Sequence, residues 1–326
     1  MNAAQVPARA DGQAFVRPVR AQDLDALMAL ASLTGGGMTN FPHDRATLAE
    51  KIAWSEASLK APIVAPDNEF YLLVLETGDG QVMGTASIFS RLGAQWPFYS
   101  YKLSRVAHVS RDLGRTFSTQ VLHLVNDFDG ASEVGGLFLH PVARAGGLGG
   151  LLARSRYLFI ARHRQRFGDI VIADLRGWVE NGTSPFWEAV AGPFFGSGFH
   201  EADLHNAMHG NQFIADLMPR YPIYTTMLPA AAREAVGRPH ESSVPALKLL
   251  QAEGFTHEGY CDIFDGGPTL QARTDEIRTI RQCHSVGVDG STLMTDEARP
   301  LIAQGQCEDF CVWQMPDEAI TSAGHL

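Results

Sequence analysis

Glu133-Val-Gly-Gly-Leu-Phe-Leu-His-Pro-Val-Ala-Arg-Ala-Gly-Gly-Leu-Gly-Gly150 decides how this chain is read. Its first half is an apolar strand, Pro141 marks a turn, and a glycine-rich loop follows. Beyond the loop, Leu148, Leu151, Leu152, Leu158 and Phe159 keep a 3.6-residue period, so a helix starts where the glycines end. A strand feeding glycines into a helix N-terminus suits an anionic group. Unpaired backbone N–H groups point outward there, and the helix dipole adds about half a positive charge. Glycines let the backbone come close, because no Cβ intervenes. The spacing is neither the dinucleotide pattern G-x-G-x-x-G nor a P-loop. It is R-x-x-G-x-G, in Arg144-Ala-Gly-Gly147-Leu-Gly149. Alone, these six residues also fit a turn that holds no ligand, so the flanking segments must decide.

With 326 residues the chain has room for one large domain or two ordinary ones. Hydrophobic residues at 45% and charged residues at 19% describe an ordinary soluble globular protein. A net charge of -10 argues against nucleic acid as a partner, which needs a basic face. Cys261, Cys283, Cys307 and Cys311 are too few for a disulfide framework, and Cys307-Glu-Asp-Phe-Cys311 lacks a second ligand pair, so no metal site is expected. Reduced thiols and a cytoplasmic location follow as expectations. No apolar run approaches the roughly 20 residues of a membrane span. Residues 1–14 contain no hydrophobic signal core and are expected to form a disordered extension.

In chain order, Phe15–Arg20 reads as a strand and Ala21–Ala31 as an amphipathic helix with acids in its first turn. That helix stops at Thr34-Gly35-Gly36-Gly37-Met38-Thr39, with more glycines than a C-cap needs; the loop either approaches a substrate or simply connects. His43–Leu59 reads as a helix, and Phe70–Glu76 and Val82–Phe89 as a hairpin around Gly78-Asp-Gly80. Tyr101–Val109 suggests a further strand, and Phe117–Val125 fits strand or helix equally. After the opening element come a buried strand, Asp169–Gly177, and a helix from Gly182 to Val190, with Thr183 or Ser184 as cap and Pro185 at its first position. Asn211–Met218 and Pro229–Val236 read as short helices, Ser243–Gly254 as a longer one, and Thr256–Phe264 as a strand closed by Asp265-Gly-Gly-Pro-Thr269. The tail beyond Arg281 has weak periodicity.

The Arg144–Gly149 loop resembles the pyrophosphate loop of the GNAT superfamily of acyl-CoA N-acyltransferases. Several less common strings resemble one family within it, the arginine N-succinyltransferases. They are Ala31-Ser-Leu-Thr-Gly-Gly-Gly-Met-Thr39, Gly182-Thr-Ser-Pro-Phe-Trp187, Phe213-Ile-Ala-Asp-Leu-Met-Pro219, Tyr221-Pro-Ile-Tyr224 and Asp262-Ile-Phe-Asp-Gly-Gly-Pro-Thr-Leu270. The likeness runs from about Val16 to about Arg281. It implies an α/β (α+β) GNAT-like fold, a mixed twisted sheet flanked by helices. The expected domain is 15–281, with an insertion around 192–237 and a shortened C-terminal segment, 282–326.

The resemblance also implies an activity: transfer of the succinyl group of succinyl-CoA to the α-amine of L-arginine, with succinyl-CoA a substrate and no cofactor held permanently. The family's catalytic proton donor falls on His240, and a succinyl-CoA contact on Leu137. A histidine can serve proton transfer near neutrality. Leu137, Phe138 and Leu139 on the strand, with Arg144, Gly147, Leu148 and Gly149 in the loop, form the expected CoA-binding set, since an exposed strand edge can bond the pantetheine amides. A guanidinium calls for carboxylates or stacked rings. Asp262 and Asp265 are the first candidates, with Asp174, Glu180, Phe186 and Trp187 behind them, while Gly35, Gly36, Gly37 or Arg176 suit the substrate's α-carboxylate. For the distal succinyl carboxylate, Arg105, Arg111, Arg115 and Lys102 are on offer without a basis for choice. Two alternatives stay open: ornithine or another amino acid as acceptor, and a non-catalytic subunit paired with an active paralogue in a homo- or hetero-oligomer.

Overall fold

The computed structural model describes residues 8–35, 38, 40–144, 146–196, 198–199, 201–202, 217–218, 220–286, 292–295 and 300–315. Strand β1 (Phe15–Pro18) leads into helix α1 (Leu24–Ser32). Asp23 sets the start of this helix: its carboxylate accepts the Arg20 N–H at 2.7 Å and grips the Arg17 guanidinium through both oxygens. Helix α2 (Arg45–Lys60) is capped by Asp44, which accepts the Thr47 N–H at 2.8 Å. Strands β2 (Phe70–Glu76), β3 (Val82–Phe89), β4 (Ser100–Ser110), β5 (Arg115–Val125) and β6 (Ser132–Leu139) follow. Phe117–Val125 is therefore a strand. Pairing along the whole of β4 settles what periodicity left open.

Helix α3 (Leu148–Arg162) comes next, then strand β7 (Ile170–Asp174), helix α4 (Pro185–Val190), short helix α5 (Gly192–Phe195), strand β8 (Ile223–Tyr224), helix α6 (Ala230–Ala235) and helix α7 (Val244–Ala252). Ser184 caps α4, accepting the Trp187 N–H at 3.2 Å. Strands β9 (Thr256–Asp262) and β10 (Pro268–Arg273), helix α8 (Arg278–Gln282) and strands β11 (Cys283–Val286), β12 (Thr292–Thr295), β13 (Leu301–Gln304) and β14 (Cys311–Gln314) complete the chain. The expected helix at Asn211–Met218 lies almost wholly outside the described residues.

All the strands join one sheet in the order β11-β12-β13-β14-β1-β2-β3-β6-β7-β10-β9-β4-β5-β8. The described part of the tail thus extends the sheet rather than standing apart: β14 pairs with β1 through Val16–Val312 and Phe15–Trp313. Every pairing is antiparallel except β6 with β7. Those two touch only at Ser132–Val171 and Glu133–Ile172, and then diverge. The sheet is a mixed twisted one with helices on both sides, as the resemblance implied. Helix α3 covers one face with Leu151, Leu152, Leu158 and Phe159 against Tyr71, Ile88, Val134 and Val171. Helices α1 and α2 cover the other through Leu27, Leu48 and Ile52 against Phe70, Leu72 and Phe138. Among the described residues no helix is long and apolar enough to cross a membrane.

Candidate active site at the splayed strand pair

Because β6 leaves β7 after Glu133, the backbone of β6 from Val134 to Leu139 has one edge without a strand partner. A bulge sharpens the departure. Ser87 pairs with Gly135 and Thr85 with Phe138, so Gly136 and Leu137 together face Ala86. Gly136 takes φ +55°, and a Cβ there would stand 2.7 Å from the Ser87 hydroxyl, so this position needs glycine. Leu137 and Leu139 turn half-buried toward α3, and Phe138 turns toward α1 and α2.

The strand delivers the chain to the glycine loop. Gly146 and Gly147 both adopt left-handed φ, +72° and +82°, and Gly147 is the N-cap of α3. The Gly150 and Leu151 N–H groups bond the Gly147 carbonyl, which leaves those of Leu148 and Gly149 in the helix turn that has no internal acceptor. Nothing lies within 4 Å of a Cβ placed on Gly146 or Gly147, so the loop faces open space. Arg144 is exposed beside it; its Nε donates to the Leu139 carbonyl at 3.2 Å and its guanidinium lies 5.8 Å from the Phe138 ring centroid. Arg144, Gly147, Leu148 and Gly149 thus form a basic, N–H-rich rim at the end of the free strand edge.

On the α1–α2 face, register brings carboxylates together from distant parts of the chain. Glu133 aligns with Ile172, Thr269 pairs with both Asp174 and Tyr260, and Ser100 pairs with Asp262. Side chains alternate along strands, so Glu133, Asp174 and Asp262 share one face. Asn40 donates to Glu133 Oε1 at 3.0 Å, and the Thr269 hydroxyl donates to Asp174 Oδ1. Asp262 Oδ1 accepts the N–H groups of Phe264 and Asp265. Among the described residues, no donor reaches the second oxygen of Glu133 or of Asp174. Burial and the neighbouring Asp262 push Glu133 up to about 7, against the pull of Asn40 and Lys51. Burial, then Asp262 and Glu133, push Asp174 well above the usual carboxylate range. Lys51 on α2 sits near Glu133 with its ammonium 5.2 Å from the Phe70 ring centroid, and burial lowers its pKa. The hydroxyls of Ser87 and Ser100, beside Gly135 and Asp262, are buried without a partner among the described residues. A negative cluster bordered by unfilled hydroxyls suits a cation rich in N–H donors.

Asp265 has a different task. Its Oδ2 accepts the Gly177 N–H at 2.6 Å and its Oδ1 the Gly267 N–H at 2.8 Å, so this buried carboxylate braces the turn beyond β7. Burial and Asp262 raise it to about 7. Against the same turn lies the segment of His240, whose backbone N–H bonds the Arg176 carbonyl at 2.8 Å next to the Pro239–Gly177 bridge. The imidazole therefore stands at the C-terminal end of β7. Its Nδ1 accepts the Ser242 N–H at 3.2 Å and lies 2.7 Å from the Ser242 hydroxyl. A backbone N–H can only donate, so Nδ1 presents its lone pair and the neutral ring carries its proton on Nε2. Burial and Arg176 lower the His240 pKa.

Of the other expected residues, Gly35 is exposed at φ +72° just past α1, on the loop that leads to Asn40, while Gly36 and Gly37 lie outside the described residues. Phe186 and Trp187 are core, fully buried, so neither ring stacks on a substrate. Glu180 is exposed in a turn. Arg105, Arg111 and Arg115 are exposed toward the far end of the β4–β5 hairpin, and Lys102 is bound to Asp127 and Tyr260. Sequence reasoning missed Glu133, Asn40 and Lys51. Glu133 opened the very stretch read first, and an acid heading an otherwise apolar strand was the available clue.

Residues 14–279 match the family described as arginine N-succinyltransferase beta subunit. The chain belongs to that family. It is 40% identical to the arginine N-succinyltransferase subunit beta of Pseudomonas aeruginosa, over 91% of this chain and 87% of that one. Against the arginine N-succinyltransferase of Escherichia coli O17:K52:H18 identity is 37%, with the same coverage. A solved structure, arginine/ornithine succinyltransferase subunit AI from Pseudomonas aeruginosa, superposes with a TM-score of 0.81 at 34% identity, over 93% of this chain and 89% of that one. Family membership makes this chain an acyltransferase with a GNAT-like fold.

Proposed function

We propose that the chain transfers the succinyl group of succinyl-CoA to the α-amine of L-arginine by direct attack on the thioester. The observation that carries this reading is the Glu133–Asp174–Asp262 cluster, placed where β6 leaves β7. A cationic acceptor there meets an acyl chain whose CoA arm follows the free edge of β6 past Leu137, with its pyrophosphate at Gly147–Gly149.

In the reaction the α-ammonium loses a proton, and its nitrogen lone pair attacks the thioester carbonyl carbon. The C–N bond forms, the C–S bond breaks, and CoA leaves as thiolate. Solvent takes the first proton, from the α-ammonium, and Glu133, whose pKa burial raises to about 7, takes the second as the C–N bond forms and the amide is left. Asp174 and Asp262 hold the guanidinium, and the α-carboxylate lies toward Gly35. His240 Nε2–H donates a hydrogen bond to the charge that develops on the thioester oxygen or the sulfur. Full proton delivery from this neutral ring would leave an imidazolate, so hydrogen-bond donation is the role that its tautomer supports. Four free cysteines fit a cytoplasmic location, and relatives named as subunits favour an assembly with another copy or a paralogue.

The test is purified protein with succinyl-CoA and, separately, arginine, ornithine and lysine, with thiol release followed. Release with arginine is expected. A second reading has ornithine as acceptor, favoured by the likeness to a solved arginine/ornithine succinyltransferase subunit. Release with ornithine alone would select it, and no release with any amine would leave a non-catalytic subunit.

A further inference from the structure

We infer that Arg156 of α3 binds the distal carboxylate of the acyl group and so selects a dicarboxylic acyl chain at the splay. This rests on the acyl-CoA reading above. Most buried or half-buried arginines of the chain have evident structural work. Arg17 is held by Asp23 and Glu76, and Arg154 by Glu253 and Thr279. Arg166 donates to the Ser58 and Ala61 carbonyls and to the Tyr71 hydroxyl, at 2.9–3.0 Å. Arg156 differs. Only 3% of it is exposed, yet it forms no ion pair among the described residues. Its Nε donates to the Ala153 carbonyl at 3.0 Å. Its Nη1 reaches the Gly135 carbonyl only at 3.5 Å, and Nη2 has no acceptor among the described residues. A guanidinium has five N–H donors, so most of its capacity is unused in a place where an unused charge is costly. The carboxylate of Glu253 forms no ion pair with it, being already engaged by Arg278 at 2.9 Å, Arg154 at 3.3 Å and the Thr279 N–H at 2.8 Å.

Its position supplies the reason. Gly135 lies just past the last β6–β7 pair and just before the bulge. The guanidinium of Arg156 thus stands at the apex of the splay, on the α3 face, while the carboxylate cluster occupies the α1–α2 face. A thioester carried along β6 ends at this apex. An acyl chain with a carboxylate two methylenes beyond the thioester carbonyl would be repelled by Glu133 and attracted by Arg156. A planar guanidinium whose Nη1–Nη2 edge is held only by the long Gly135 contact accepts that carboxylate in a forked pair.

The experiment measures binding by titration calorimetry of the full chain with succinyl-CoA, butyryl-CoA and CoA. Butyryl-CoA replaces the terminal carboxylate with a methyl group. The expected result is at least about 30-fold tighter binding of succinyl-CoA than butyryl-CoA, collapsing to near parity in Arg156→Gln with butyryl-CoA affinity kept. Arg156→Lys should recover part of the preference. Equal binding of the two thioesters by the unaltered chain overturns the inference alone, as does an Arg156→Gln chain that folds and keeps the preference. Should that variant fail to unfold cooperatively, the unaltered chain and Arg156→Lys decide between the same outcomes. Failure of the unaltered chain to bind any acyl-CoA overturns the donor reading and this inference with it.

Discussion

The two faces of the β6–β7 splay differ in how they were assembled. On the α3 face, the strand, the bulge, the glycine loop and the helix follow one another within Ser132–Arg162, so the donor-side parts are local in sequence. On the α1–α2 face, Glu133, Asp174 and Asp262 meet only because the sheet order places β6, β7, β10 and β9 side by side, and Asn40 and Lys51 approach Glu133 from the loop after α1 and from α2. A local unit can be recognised by its order of residue types, and in the proposed function it carries the donor. A unit gathered by register is free to vary one residue at a time, which is where acceptor choice belongs.

The largest expected effect tests the gathered face. Glu133→Gln keeps the Asn40 hydrogen bond possible but removes the base, and should lower kcat/KM for arginine by roughly 10²–10⁴-fold while leaving succinyl-CoA binding nearly unchanged. A loss of thioester affinity instead would erase the division between the faces. In the unaltered chain kcat/KM should rise through an apparent pKa near 7, where the cluster titrates as one unit. Next comes His240→Ala, with turnover down by about 100-fold. Because the His240 pKa is lowered, the unaltered enzyme should show no fall in rate from pH 7 to 9. A rate that falls as pH rises through that window would show the imidazolium as the working form and reject the hydrogen-bond role.

On the local face, Gly147→Val places a branched side chain at φ +82°, and should weaken CoA binding by roughly tenfold through backbone strain of about 1–2 kcal/mol at the loop. Unchanged CoA affinity would make the loop structural. The smallest expected effect is on stability. Glu133 and Asp265 have folded-state pKa values raised to about 7, so each favours the native state most below its ordinary carboxylate pKa. That contribution is lost as pH rises through about 7, so Tm should fall by roughly a few degrees between pH 5 and pH 7.5. Glu133→Gln should flatten the slope; an unaltered slope would mean that Glu133 is solvated and ionised throughout.

Much of the fold was legible in the residues. The cap Ser184, the hairpin of Phe70–Glu76 and Val82–Phe89 around Gly78-Asp-Gly80, and the run Leu148–Phe159 marked their elements because each depends on neighbours a few positions away. Phe117–Val125 was not legible, since a two-sided pattern becomes a strand only when β4 pairs with it. The four-residue strands of the tail were not legible either; each is too short to show a period, and what fixes β14 is its pairing with β1. In the candidate site, Asp262 shares a face with Glu133 and Asp174, while Asp265 is taken up otherwise: its two oxygens hold Gly177 and Gly267, a bond pattern invisible in one dimension.

By itself the sequence determined the local unit: an apolar strand, a glycine-rich turn and a helix N-terminus are consecutive, and a turn of that kind depends only on neighbours a few positions away. Only the tertiary structure decided the polarity of the splay, with carboxylates on one face and the Arg156 guanidinium on the other. Which face a strand residue points to depends on register, and register is set by partners distant in sequence, as Ser100 is for Asp262 and Ile172 for Glu133.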